Sequence, residues 1–407
     1  MWNNEKRLQK YFAMFSMAVC LPAAAVLISG ICMLLFAGKG AGTRDFVCYL
    51  ASGKLLAHRA NPYDSDAVLR IEREAGFPAE YRSMIMRNPP SALLPTLPLG
   101  YMSPRLGAII WAWLSLGCFV VSVTMLWTMN GRPDGLRAIL GYTFAPALVC
   151  LLANQITFFA LLGFVLFVRL YKSRPFLAGV SLWLCALRPH LFLPFCVALV
   201  LWIVVTRNYR VLLGAVSALL AGMAIPILID PMVWNQYFNM MGHHSGLDAE
   251  FIPCLSIALR LWLSPRSTWL QAIPSLVACA WAAAYYWKNR LEWDWLRHGS
   301  LLTTVSLISA PYAYFYDEAL AIPAVMSGVA RVRDQWMLGV LALMSAAIEI
   351  PIMIYGPSLH SAAYLFTGPA WLLWYLFATR KPGVPQPAVL AVISAQSTTQ
   401  AVPLQRA

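Results

Sequence analysis

Charge is the scarcest resource in this sequence. Only 12% of its 407 residues are charged, while 60% are hydrophobic. Soluble domains carry about twice that charged fraction. A soluble globular chain is therefore excluded, and apolar runs spread from end to end point to an all-α polytopic membrane protein. Negative charge is scarcer still, with 17 acidic against 30 basic residues. The excess of positives does not imply a nucleic-acid partner. They stand in short clusters between apolar runs, as cytoplasmic turns do, and no basic groove is interleaved with aromatics. Attraction to the anionic headgroups of a lipid bilayer follows as a side effect.

Metal-ligand spacing is also missing. Cys20, Cys32, Cys118, Cys150, Cys185, Cys196 and Cys279 lie inside apolar runs, where they pack as small hydrophobes. Cys48 and Cys254 fall in segments read as external, so a disulfide between them stays open. His243 and His244 are adjacent, and adjacent side chains rarely point the same way, so they read as loop histidines rather than ligands. No metal and no cofactor is expected. The apolar run 12–36 is too long for a signal-peptide core and lacks a cleavage site, so it reads as an anchor.

Lys6, Arg7 and Lys10 put the N-terminus in the cytoplasm, and 40–104 then forms a long first outer loop. Five prolines between Asn88 and Pro104 forbid a spanning helix there, and the segment reads as a short re-entrant or interfacial element. Leu106–Met129 returns the chain to the inside. Ala138–Ala153, Ile156–Leu170, Phe176–Leu187, Leu191–Val205 and Val211–Ile229 follow, up to a second outer loop at 230–265. Trp269–Trp287, Leu301–Phe315, Leu320–Ala330, Met337–Ile354 and Ala363–Phe377 complete about twelve spans. One domain covers 1–380, and the Pro-, Gln- and Ser-rich tail 381–407 reads as disordered and cytoplasmic.

The polar residues fall mainly on one side. The first loop alone holds Asp45, Asp64, Asp66, Glu72, Glu74 and Glu80, six of the 17 acids. Asp45 begins a helical pattern just after the first span, with Tyr49 one turn on and Ser52 and Gly53 following. Asn154-Gln155, Arg188-Pro189-His190, His243-His244 and Tyr316-Asp317 would share that outer face. Polar groups that interrupt spans are expensive and usually face a cavity or a partner. Plainer roles exist for each. Asp45 could pair with Arg44 at the surface, Arg188 could snorkel to headgroups, His190 could cap a helix, and Tyr316-Asp317-Glu318 could be a solvated turn.

The run Asp45-Phe46, Tyr49, Gly53, Asn61-Pro62-Tyr63-Asp64 and Asn88-Pro89-Pro90 with Pro98-Leu99 resembles glycosyltransferase family 87. That family holds polyprenol-phosphate-mannose-dependent mannosyltransferases of the GT-C fold. Asn154-Gln155 stands in place of the family's Gly-Gln or Gly-Asn turn, and Arg188-Pro189-His190 stands where Lys-Pro-His is common. Pro311-Tyr312 with Tyr316-Asp317 is similar to a late family motif. Ala153 for the turn glycine and Arg188 for lysine depart from the pattern. The resemblance spans roughly 10–380.

It implies a GT-C-type bundle in the plasma (inner) membrane with its active site facing outside or the periplasm. It also implies an inverting transfer of a hexose, best read as mannose, from a polyprenyl-phosphate-linked sugar donor to a lipid or glycan acceptor. The chemistry asks for one general base and for cations at the phosphate leaving group. Asp45 suits the first role; Arg188 and His190, with Arg44 nearby, suit the second. Tyr49, Tyr63, Asp64, Asn154, Gln155, Tyr316 and Asp317 complete the expected substrate-binding set, with Asp64 bonding backbone amides of its own turn. The rival reading is a secondary transporter or a flippase of lipid-linked sugars. Its signature would be charges near the bilayer midplane, for which Glu349, close to Pro351, is the one plausible residue.

Overall fold

The computed structural model describes Tyr11, Ala23, Ala24 and residues 45–133, 135–243, 251–332, 334–355 and 360–380. The expected anchor at 12–36 apart from Ala23 and Ala24, Arg44, His244 and the tail 381–407 lie outside the described residues. Every regular element among the described residues is helical. Among the described residues, four helices are long and apolar enough to cross a membrane: Pro104–Met129, Pro189–Thr206, Tyr209–Ile229 and Gln335–Tyr355. Backbone groups in lipid must be satisfied within their own segment, which is why such runs are helical.

Against the twelve spans read from hydropathy, several apolar runs are divided. The run 138–153 forms two helices, Gly135–Tyr142 and Ala145–Ala153: Pro146 has no N–H to give the Tyr142 carbonyl, and the chain is extended at Phe144 (ψ 116°) between them. The run read as Leu301–Phe315 stops at Ile308, before Pro311, with its helix at Trp295–Ile308. The run read as Leu320–Ala330 is a 3₁₀ turn, Phe315–Ala321, leading into Ile322–Arg331. Residues 88–104 hold two short 3₁₀ helices, Pro90–Leu93 and Leu97–Tyr101, as the prolines require. The segment read as a second loop carries helices Val233–His243 and Leu255–Leu263.

The two largest buried apolar clusters among the described residues organise the fold. The larger joins Thr157–Leu170, Leu193–Thr206, Trp295–Ile308 and Ile322–Arg331. The smaller surrounds helix Phe46–Ala57 with Tyr63, Met86, Leu93, Trp111, Leu187 and Val233. That helix is buried almost all round rather than lying on a surface. Its seat depends on Gly53, where an added Cβ would fall 2.1 Å from the Thr96 carbonyl oxygen. Gly100 closes the same contact, where an added Cβ would fall 2.6 Å from the Gly53 carbonyl oxygen. The chain passes from one cluster to the other between Ile156 and Phe158 and again between Leu187 and Leu191. Polar residues stand at both crossings.

Candidate functional site

Asp45 is the N-cap position of helix Phe46–Ala57, so a rigid, buried element carries it. Its side chain does not cap that helix. Instead Oδ2 accepts a hydrogen bond from Gln155 Nε2. The Gln155 amide is in turn clamped on its other side. Its Oε1 accepts from Tyr49 Oη at 2.7 Å and from the Arg188 guanidinium. Arg188 is buried at 7% exposure and also pairs with Asp317 Oδ1. Asp317 is fully buried and accepts further from Thr157 Oγ1 at 2.7 Å and from Tyr314 N at 3.1 Å. One continuous chain thus runs Asp45, Gln155, Arg188, Asp317, Thr157. Residues 110, 33 and 129 positions apart are joined by its first three links.

Local backbone chemistry explains why Gln155 points there. Asn154 ends helix Ala145–Ala153 in the left-handed region (φ 55°), a conformation asparagine tolerates far better than most residues. The turn's glycine role therefore falls to Asn154, and Ala153 remains inside the helix. Trp111 Nε1 donates to the Asn154 carbonyl at 2.8 Å, and the Trp111 ring lies 5.2 Å from that of Tyr49. Trp111 thereby holds both the turn and the tyrosine that holds Gln155.

Burial pushes the Asp45 carboxyl up from its ordinary 3.8 to about 6; the Gln155 hydrogen bond and the charges of Arg188 and His360 oppose that rise, while Asp317 adds to it. The group is therefore ionised at neutral pH yet basic enough to take a proton.

Several atoms at this site have no partner among the described residues. They are Arg188 Nε, His190 Nε2 and both amide atoms of Asn154, all buried. Buried polar atoms left unpaired are costly, and ligands commonly fill them. The His190 ring stacks on Tyr312 with centroids 4.1 Å apart, so stacking rather than capping positions it. Tyr316 lies under the Arg188 guanidinium at 5.6 Å.

Expected members of the site divide as follows. Asp45, Tyr49, Gln155, Arg188, Tyr316 and Asp317 come together, with Asn154 and His190 beside them. Arg188, expected as a cation for the phosphate, is also paired with Asp317. Tyr63 and Asp64 sit apart from this chain. Tyr63 Oη donates to the Asn88 carbonyl, and Asp64 Oδ1 caps helix Ser65–Glu74 by accepting from Asp66 N and Ala67 N. The solvated-turn reading of Tyr316-Asp317-Glu318 is overturned, since all three are buried. Glu318 pins the start of helix Thr367–Thr379 by accepting from Thr367 Oγ1 and Trp371 Nε1, both at 2.7 Å. Cys48 and Cys254 are both free and buried, which closes the disulfide question. The His243 side chain and Arg44 lie outside the described residues.

Sequence reasoning missed Thr157, Trp111 and His360. Thr157 stands two residues after Gln155 and starts a helix, which was a usable signal. His360 stands in a turn between two apolar runs, the pattern that drew attention to His190. Glu349 is 2% exposed within helix Gln335–Tyr355, and neither of its carboxylate oxygens has a partner among the described residues.

No curated protein and no solved structure matches the chain. A family model described as glycosyltransferase family 87 matches residues 87–311, a stretch that includes Asn154, Gln155, Arg188 and His190 while Asp45 and Asp317 lie beyond its two ends. That match covers 225 of 407 residues, and the chain belongs to glycosyltransferase family 87, a membrane glycosyltransferase by family and by its apolar helices.

Proposed function

We propose that the protein moves a hexose, with mannose the first candidate, from a polyprenyl-phosphate donor to a lipid- or glycan-linked acceptor with inversion at the anomeric carbon. The observation that supports it most is the Gln155 bridge: a carboxylate of raised basicity is held one amide away from a buried guanidinium. Both charges that such a transfer needs are placed by one side chain.

Asp45 serves as general base. Gln155 occupies Oδ2, so Oδ1 takes the acceptor hydroxyl proton as the acceptor oxygen attacks the anomeric carbon. The bond from that carbon to the phosphate oxygen breaks, and the electron pair leaves with the polyprenyl phosphate. Arg188 and His190, whose Nε and Nε2 atoms are buried and unpartnered among the described residues, meet the charge growing on it. Asp317 keeps the Arg188 fork aimed while leaving its Nε–H for the donor. The chemistry faces outward in the plasma membrane, with Lys- and Arg-rich turns and both termini cytoplasmic.

The purified protein, incubated with labelled polyprenyl-phosphate mannose, glucose and arabinose and a membrane-lipid extract, tests the reading. Transfer of one of these sugars with inverted configuration is expected. Transfer from a nucleotide sugar alone, or no transfer from any of the three, would end it.

A further inference from the structure

Asn61-Pro62-Tyr63-Asp64-Ser65-Asp66 forms a tight turn and the first residues of helix Ser65–Glu74. Asn61 Oδ1 accepts from Tyr63 N at 2.9 Å, which folds the turn on itself. Helix Val233–His243 packs opposite, and between the two lies a cleft of about 340 Å³. That size is within the range of about 300–1,000 Å³ usual for small-ligand sites.

The lining chemistry is selective. Asn61, Asp64, Asp66, Gln236 and Asn239 contribute amides and carboxylates, and the Tyr63 ring contributes an aromatic wall. No lysine, arginine or histidine faces the cleft among the described residues. A phosphate would meet two carboxylates and no cation there, and a lipid tail would cover amides and carboxylates without pairing them. A neutral polyhydroxylated ligand fits, because each of its hydroxyls both donates and accepts.

Gln236 adds an independent sign. Its Nε2 donates to Asp230 Oδ2 at 2.8 Å, which fixes the amide's orientation. Its Oε1 is buried and has no partner among the described residues. An acceptor oxygen locked in place and left empty is costly unless a donor arrives. Asp230 is itself 8% exposed and also accepts from Met232 N, so the lock is part of the fold.

The cleft is tied to the reaction site by two hydrogen bonds. Tyr63 Oη donates to the Asn88 carbonyl at 3.2 Å, and Asn88 Nδ2 donates to the Leu187 carbonyl at 2.6 Å. Leu187 immediately precedes Arg188. We propose that this cleft is a sugar subsite that holds a neutral unit of the acceptor glycan while the glycan's reacting hydroxyl lies at Asp45. The assignment rests on the transferase reading above and extends it: the acceptor carries at least one sugar besides the one modified. Asp66 and Gln236 Oε1 accept hydrogen bonds from the sugar's hydroxyls, and the Asn61 side-chain amide donates one.

Saturation-transfer NMR on the full-length protein in lipid nanodiscs, with mannotriose and maltotriose as probes, tests it. Binding of at least one triose is expected, weakened about tenfold in Asp66→Ala, an exposed position whose loss leaves the fold intact. Gln236→Leu should weaken it comparably, and Asp45→Asn should leave it unchanged. Failure of both trioses to bind, or equal binding by wild type, Asp66→Ala and Gln236→Leu, would overturn the subsite. Transfer activity is read separately, so an Asp45→Asn protein that still transfers sugar would sink the general base while the subsite stood.

Discussion

Gln155→Met keeps approximate volume and reach but removes every hydrogen bond of the bridging amide. Asp45 Oδ2 loses its donor, while Tyr49 Oη and the Arg188 fork lose their shared acceptor. A hydrogen bond to a charged group contributes about 1.5–3 kcal/mol. At 1.36 kcal/mol per pH unit, losing it raises the Asp45 carboxyl by about one to two units. From about 6 in the native site, it moves to about 7–8. The sign is definite: the base must be ionised, so activity is lost as pH falls through that value, and the acid limb of the rate profile shifts upward. At pH 7 the ionised fraction drops from about nine-tenths to between about a half and a tenth, and the rate follows. Near pH 9 most of that loss is recovered, leaving only the cost of a poorly aimed carboxylate. Initial rates of sugar transfer from pH 5 to 9, with thermal melting as the folding control, measure this. An acid limb that stays near pH 6 while the whole profile scales down would refute the claim that Gln155 holds the ionised base.

Other perturbations separate the site's parts. Arg188→Ala strands the fully buried Asp317 carboxylate and should destabilise by about 3–5 kcal/mol. Adding Asp317→Ala should restore part of that stability but no activity; a double variant no more stable than the single would contradict the pairing. Gly53→Ala drives a Cβ into the Thr96 carbonyl and should cost about 1–3 kcal/mol or more, so an unchanged melting temperature would count against the packing described. Burial raises Glu72 from 4.5 to about 7, with the Met84 amide opposing. The folded state then holds the Glu72 proton more tightly than the unfolded chain, so stability is full below about pH 4.5 and declines as pH rises to 7. Glu72→Gln should flatten that decline in pH-dependent melting.

What could be read from sequence was whatever repeats locally. Apolar runs, the start of a helix at Asp45 and the proline-broken segment 88–104 all follow from composition and short-range spacing. The individual site members were readable for the same reason, since Gln155, Arg188 and Asp317 each interrupt an apolar stretch. Their mutual bonds were not, because no periodicity links residues more than thirty positions apart. Tyr316-Asp317-Glu318 looked solvated because three polar neighbours in a row carry no burial signal. Their burial is set by Thr157, Arg188, Thr367 and Trp371, which arrive from elsewhere in the chain. Glu72 misleads in the same way: a charge on an amphipathic helix reads as exposed, yet its carboxylate folds in to meet the Met84 amide. Arg188 was expected to face a phosphate, and its pairing with Asp317, 129 positions away, carries no sequence signal.

The claim on which the rest depends is that Asp45 takes the proton of the acceptor hydroxyl. Asp45→Asn retains size and a hydrogen-bonding oxygen toward Gln155 but loses basicity. Single-turnover transfer from labelled polyprenyl-phosphate mannose in reconstituted liposomes should fall about 10²–10⁴-fold, the usual contribution of a positioned base, while donor binding and melting temperature hold. Near-normal transfer by Asp45→Asn would contradict the account and place the base on another residue.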